Sequence, residues 1–161
     1  MDRVDLVLSQ WHRERPDLDV SSMGLLGRLL RLARHVQREL ERTLGASGLT
    51  FATFDVLATL RRTGAPFALS PNDLLGTMMV SSGTLTNRID QLEKAGLVER
   101  VANPGDGRSV LITLTKRGFT AVDAAMIAYV ATQARLTAPL KKAERTALDA
   151  ALKAYLSSFE D

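Results

Sequence analysis

Apolar residues recur at helical spacing through most of the chain. They fall three or four positions apart over residues 2–14 and again from about 23 to 44, where arginines occupy the opposite side. The same spacing returns over 50–62, over 81–95, from 115 onward and in a last segment beyond Pro139. Ser70, Pro71 and Asp73 form the start signal of a further, shorter helix. The pattern predicts a mainly α protein.

The spacing of the apolar residues changes from helical to strand-like between residues 97 and 114. Short β-branched and apolar runs at 97–101 and 110–114 predict two strands, and the Asn, Pro and Gly residues of 103–107 are typical of the turn between them. The order from 50 to 114 is thus helix, short helix, turn, helix and hairpin. This order predicts a winged helix-turn-helix with a small β-hairpin wing.

The amino-acid composition excludes several functional classes. The 161 residues are 45% hydrophobic and 24% charged, which is ordinary for a folded soluble protein. There is no cysteine and there are only two histidines, so disulfides, thiol sensing and cysteine zinc sites are excluded. No apolar run is long enough to span a bilayer, and the first residues lack a signal-peptide pattern. We expect a cytoplasmic protein with no membrane partner.

Catalytic chemistry has little support in the sequence. There is no nucleophile elbow, no histidine placed beside a serine and no metal-ligand cluster. Gly105-Asp106-Gly107 suits a turn and lacks the third glycine of a nucleotide-binding loop. We therefore expect no enzyme activity, no cofactor and no metal.

The second helix of the predicted pair is the candidate DNA-recognition element. Its spacing turns Leu85, Ile89 and Leu92 inward, which leaves a small polar face outward that would suit a major groove. Arg108 at the hairpin tip is a candidate contact to phosphate or the minor groove. Asp90 is expected to pair with a nearby arginine. The candidate DNA contacts on the helix and its capping turn are Ser81, Ser82, Thr84, Thr86, Asn87 and Lys94. The alternative is that these are only solvated positions.

Two motifs carry a resemblance to a known family. Residues 80–86 and 92–100 (VSSGTLT and LEKAGLVER) resemble the recognition helix and first wing strand of MarR-family regulators, and DGRS at 106–109 with LTKRG at 114–118 resembles their wing. The resemblance implies that Asp106 and Arg108 shape the wing and reach DNA. It also implies a homodimer joined by helices from both chain ends, so we assign dimerisation to 1–48 and 119–161 and the winged-helix domain to 49–118. The long apolar stripes at both ends agree with such an obligate interface.

A narrower resemblance concerns an effector. The sequence resembles a urate-responsive MarR subgroup at Thr86-Asn87-Arg88, Trp11 and Asp55. In that subgroup the matching Trp, Asp and Arg line a ligand pocket. A planar anion would stack on Trp11 and pair with Arg88. The alternatives stay open: Trp11 as an interface residue, Arg88 in a salt bridge to Asp55 or another acid, and Asp55 as a structural or solvated carboxylate.

The functional prediction is a sequence-specific regulator that binds double-stranded DNA. We expect a repressor that a small anionic ligand such as urate, or a related metabolite, releases from a palindromic operator. The alternative is a winged-helix protein-interaction module without ligand control.

Overall fold

Helices dominate the structure, a computed structural model that describes residues 1–78 and 81–159, the side chains of 106–108 excepted. The helices are α1 (Arg3–Glu14), α2 (Ser21–Gly45), α3 (Phe51–Arg62), α4 (Pro71–Thr77), α5 (Ser82–Lys94), α6 (Lys116–Thr137) and α7 (Lys142–Leu156). The strands are β1 (Ala68–Leu69), β2 (Val98–Asn103) and β3 (Asp106–Leu114). The predicted fold class, mainly α with a small β wing, is confirmed.

Side-chain caps explain where most of these helices begin. Hydroxyl or carboxylate oxygens accept from backbone N–H groups of the first helical turn, which would otherwise lack partners. The capping residues are Asp2, Thr50, Ser70, Ser81 and Thr115. The helix after Pro139 begins at Lys142, and the Lys141 N–H before it donates to Glu144 Oε2 at 2.7 Å.

The wing is a three-stranded antiparallel sheet in the order β1-β3-β2. The hairpin was predicted, but its strands run longer than the expected 97–101 and 110–114, with an irregular register at Ala102/Asn103. Strand β1 was not predicted. It has only two residues, and Ala68 pairs with Thr113 of β3. Two residues carry no readable period, so only the tertiary pairing defines this strand.

The chain divides into two compact units, Met1–Glu39 and Leu40–Asp161. In the first, α1 lies close to α2 because Gly24 and Gly27 present no side chain; a Cβ at Gly27 would come within 3.3 Å of Val4 Cγ1. Arg28 of α2 donates to Asp2 at 2.8 Å and also pairs with Asp5. These contacts hold the start of α1 against α2.

The second unit contains the main hydrophobic core, built from α3, α4, α5, the sheet and one face of α6. Its fully buried large side chains include Leu57, Leu60, Leu74, Leu85 and Ile112. No residue of α7, which the structure describes throughout, is buried. Within residues 1–78 and 81–159, no helix combines the length and apolar character needed to cross a membrane.

The buried stripe of α6 differs from the expected one. Helical spacing predicts one stripe of Phe119, Val122, Met126, Val130 and Gln133, yet Val130 is 52% exposed. The buried positions are Gly118, Val122, Ala125 and Thr132, so Val122 is shared by the predicted and the observed stripe. Small residues let α6 approach the core closely, and they carry little signal in a hydrophobicity pattern.

Candidate nucleic-acid interface and the cavity beside it

Helix α5 has one buried apolar side and one exposed polar side. Leu85, Ile89 and Leu92 are at most 2% exposed and join the core, as their spacing predicted. The short helix α4 precedes α5 in the chain, and β2 follows it after Gly96, whose φ of 68° suits a helix-ending glycine. The core therefore fixes α5 from behind and leaves its other side open to a partner.

The exposed side of α5 carries short polar side chains. Ser81 caps the helix by accepting from the Thr84 N–H at 3.4 Å, and its hydroxyl lies 2.9 Å from that of Thr84. The Thr86 hydroxyl donates to the Ser82 carbonyl at 3.0 Å. Gln91 Nε2 donates to Asn87 Oδ1 at 3.3 Å, which leaves the Asn87 amide N–H₂ as a donor. The exposed positions comprise Ser81, Ser82, Thr84, Thr86, Asn87 and Lys94.

At the wing, side-chain hydrogen bonds shape the turn between β2 and β3. Asn103 Oδ1 accepts from the Gly105 N–H at 3.0 Å, and Asn103 Nδ2 donates to Ser109 Oγ at 2.9 Å. The side chains of Asp106 and Arg108 lie outside the described residues, so their expected DNA contacts stay predictions.

Arg100 of β2 joins the wing to α5. Its guanidinium donates to Asp90 Oδ1 at 2.6 Å and also pairs with Glu93. The pKa of Arg100 is raised, first by the hydrogen bond to Asp90 and also by the charge of Glu93. The expected pairing of Asp90 with an arginine is confirmed. Sequence reasoning did not name Arg100, because residues ten positions apart on different elements share no periodicity.

A cavity of about 520 Å³ opens beside the inner flank of α5. Arg88 of α5 lines it together with Glu41, Leu49 and the first turn of α3 at Thr50 and Phe51. Arg88 is half-buried, and within the described part of the chain it has neither an ion-pair nor a hydrogen-bond partner. The expected alternative of a salt bridge to Asp55 is therefore not found. A half-buried guanidinium without an ion-pair partner favours an anion.

The other two predicted ligand residues are placed differently. Asp55 is half-buried on α3 but is not among the residues that line this cavity. The pKa of Tyr129 is raised, first by the burial of Tyr129 and then by the negative charge of Asp55. Trp11 is 41% exposed on α1, in the first unit. Of the predicted trio, Arg88 alone lines this cavity.

A short helix, a second helix backed by the core and a wing of three antiparallel strands together define a winged helix-turn-helix of the transcriptional-regulator class. A family model described as MarR family matches residues 47–109. The HTH-type transcriptional regulator PecS of Dickeya dadantii is 40% identical over 149 residues, which cover 92% of this chain and 90% of PecS. The chain belongs to the MarR family.

Solved structures show the same fold. A mutant MarR from Escherichia coli complexed with operator DNA is similar with a TM-score of 0.71 and 29% identity, over 91% of this chain and 97% of that one. The Bordetella bronchiseptica regulator BpsR, whose structure concerns regulation of its DNA binding by 6-hydroxynicotinic acid, is similar with a TM-score of 0.68 and 29% identity. This match covers 80% of this chain and 91% of BpsR.

Proposed function

We propose that this protein is a homodimeric repressor that binds a palindromic DNA operator and is released by a small anionic ligand. The observation that carries DNA binding is the two-sided character of α5: Leu85, Ile89 and Leu92 fix it to the core, while short polar residues cover the exposed side. A helix with such a face fits the major groove, where donors and acceptors distinguish all four base pairs. The similarity to a MarR bound to operator DNA supports the same role.

Each part of this surface has its own role in the proposal. Asn87 reads base edges, since its amide has a free N–H₂ donor once Gln91 occupies Oδ1. Ser81, Ser82, Thr84 and Thr86 surround the start of α5, where backbone amides favour phosphate. Lys94, at the other end of the helix, contacts the phosphate backbone of the DNA. Arg108 and Asp106 extend the contact to the wing, a role that rests on the family resemblance.

Dimerisation is supported by apolar surface that one chain leaves uncovered. The exposed apolar residues of α7 and the turn after it are Leu148, Leu152, Tyr155, Leu156 and Phe159. An amphipathic helix with none of its residues buried is unstable as a solvated monomer element, so a second copy would cover it. Two-fold symmetry would then present two recognition helices about 34 Å apart, the repeat of successive major grooves.

The effector part of the proposal rests on Arg88. Its guanidinium lines a cavity large enough for a planar organic anion and has no ion-pair partner within the described chain, although Glu41 also lines the cavity. Because Arg88 belongs to the helix that would read DNA, an anion that pulls on this side chain would bias the position of α5. Urate or a related anion is the proposed ligand, while ligand contacts by Trp11 and Asp55 stay predictions from the family resemblance. The link between BpsR and 6-hydroxynicotinic acid supports an anionic aromatic class.

Fluorescence anisotropy with labelled duplex from the region upstream of the gene tests the whole proposal. We expect saturable binding that weakens steeply with salt, as phosphate contacts require. Urate, xanthine and 6-hydroxynicotinate are then titrated into the complex, and one of them is expected to release the DNA. A protein that binds no duplex at low salt would contradict the proposal and favour a protein-interaction module.

A further inference from the structure

Arg100 pairs with two carboxylates of α5, the candidate recognition helix. It lies on β2, and its two terminal nitrogens reach Asp90 Oδ1, at 2.6 Å, and Glu93 Oε2. All three side chains are partly open to solvent, with 32% of Arg100, 46% of Asp90 and 39% of Glu93 exposed. The network therefore lies at the surface, where a nucleic acid would feel its charge.

The two carboxylates are close to the candidate DNA face. Asp90 follows Asn87 by three residues and precedes Lys94 by four, so these three positions neighbour one another along one side of the helix. Glu93 lies one turn beyond Asp90. Without a cation beside them, two carboxylates at this position would repel the DNA backbone, whose charge dominates the affinity of such interfaces.

We infer that Arg100 is a positioning residue for DNA recognition: by holding Asp90 and Glu93, it partly neutralises the two negative charges of α5 and keeps them directed toward the wing. The inference rests on the proposed function of α5 in DNA binding. It explains why a helix that meets DNA carries two acids, since both already have a partner before the complex forms.

Loss of Arg100 is expected to lower the affinity for DNA without lowering the stability of the fold. Exposed ion pairs contribute about 0–1 kcal/mol to folding because solvent screens them. Loss of Arg100 therefore leaves the fold nearly unchanged but leaves two carboxylates unpaired near DNA. A purely structural salt bridge would show the reverse, with a lower melting temperature and little change in the salt dependence of binding.

The experiment measures DNA affinity of the full chain over a salt series, with the melting temperature recorded in parallel. Arg100→Gln is expected to weaken binding about tenfold near 0.1 M salt and to flatten the slope against salt. The triple variant Arg100→Gln with Asp90→Asn and Glu93→Gln is expected to recover to within about threefold of wild type, because it lacks the repelling carboxylates. Asp90→Asn with Glu93→Gln alone, which keeps Arg100, is expected to bind DNA more tightly than wild type.

Glu99→Gln is the matched control, because it removes one negative charge from the adjacent β2 residue, whose side chain points to the opposite face of the sheet. It should leave affinity within about twofold. Arg100→Gln binding like wild type, or a triple variant no better than Arg100→Gln, would overturn the inference while leaving DNA binding itself intact. A wild-type protein that binds no duplex would refute the proposed function and, with it, this role of Arg100.

Discussion

A Cβ atom at Gly118 would lie 1.9 Å from the carbonyl oxygen of Leu97. The first turn of α6 thus rests directly on the backbone where β2 begins. Thr115 adds three hydrogen bonds at the same junction. Its N–H donates to Leu97 O at 3.2 Å, and its hydroxyl is shared between Gly96 O at 2.8 Å and Leu97 O at 3.3 Å. This junction fixes the base of the wing against the helix that leads away from it.

Gly118→Ala is expected to destabilise the protein by about 3 kcal/mol, because the overlapping atom belongs to the backbone and cannot rotate away. The free energy of unfolding from urea titration measures this. Gly76→Ala in α4 is the control, since a Cβ there meets nothing within 4 Å. The control should be neutral or slightly stabilising, in line with the higher helix propensity of alanine. Equal stability of the two variants would contradict the close approach at Leu97.

Arg88→Gln tests the effector cavity. The variant should keep its affinity for DNA within a few-fold but require at least about tenfold more anion for release, because the charge-assisted bonds are lost. Anisotropy of the DNA complex during a urate or 6-hydroxynicotinate titration gives both values. Arg62→Gln on α3, exposed and without an ion pair in the described chain, controls for loss of one positive charge. A release curve unchanged by Arg88→Gln would place the ligand elsewhere.

Leu152→Asp tests dimerisation through α7. Leu152 is 43% exposed in the single chain, so a charge there disturbs no core packing but would be buried at the proposed interface. Sedimentation equilibrium should show a weaker dimer, by at least about tenfold in dissociation constant. Ala150→Asp, on the opposite side of the same helix, is the control and should leave the dimer unchanged. If both variants dimerise like wild type, α7 is not part of the interface.

Asp2 makes α1 sensitive to acid. It accepts from the N–H groups of Val4 and Asp5 at 2.7 and 3.0 Å, and the bond from Asp5, followed by Arg28, lowers the pKa of Asp2 below its ordinary 3.8. Because the folded pKa is lowered, the stabilisation is present above pH 3.8 and disappears as pH falls through the folded value.

The fluorescence of Trp11, which lies on α1, reports on this capping contact. Asp2→Asn should change the signal at neutral pH, and the difference from wild type should shrink as acid protonates Asp2. Asp17→Asn, which removes a carboxylate that pairs with Arg15 outside the helices, is the control. A difference that persists at the acid end would mean that the charge of Asp2 does not hold α1.

Most of the architecture could be predicted because it depends on local signals. The inward positions of α5 follow from spacing alone, and the caps at Thr50, Ser70 and Thr115 stand at visible sequence boundaries. Strand β1 could not be predicted, because two residues become a strand only by pairing with β3. Val130 was misplaced because the close packing of α6 depends on Ala125 and Thr132, which hydrophobicity does not highlight.

The candidate site was predictable to a smaller extent. Residue types pointed to the exposed face of α5 and to Arg88, but the rest of the cavity beside Arg88 is lined by the end of α2 and the start of α3, which are far from Arg88 in sequence. The same holds for Arg100, whose two partners lie on another element. Contacts between elements determine both features, so no local pattern could have revealed them.

One selection experiment tests most directly the claim that α5 reads bases in a major groove. Duplexes that bind are selected from a random pool, once with the wild-type protein and once with Asn87→Ala. We expect a palindromic wild-type site, with half-sites about one helical turn apart, and a variant that loses its base preference at one position of each half-site. A variant that selects the same sequence as wild type and merely binds every duplex more weakly would contradict it.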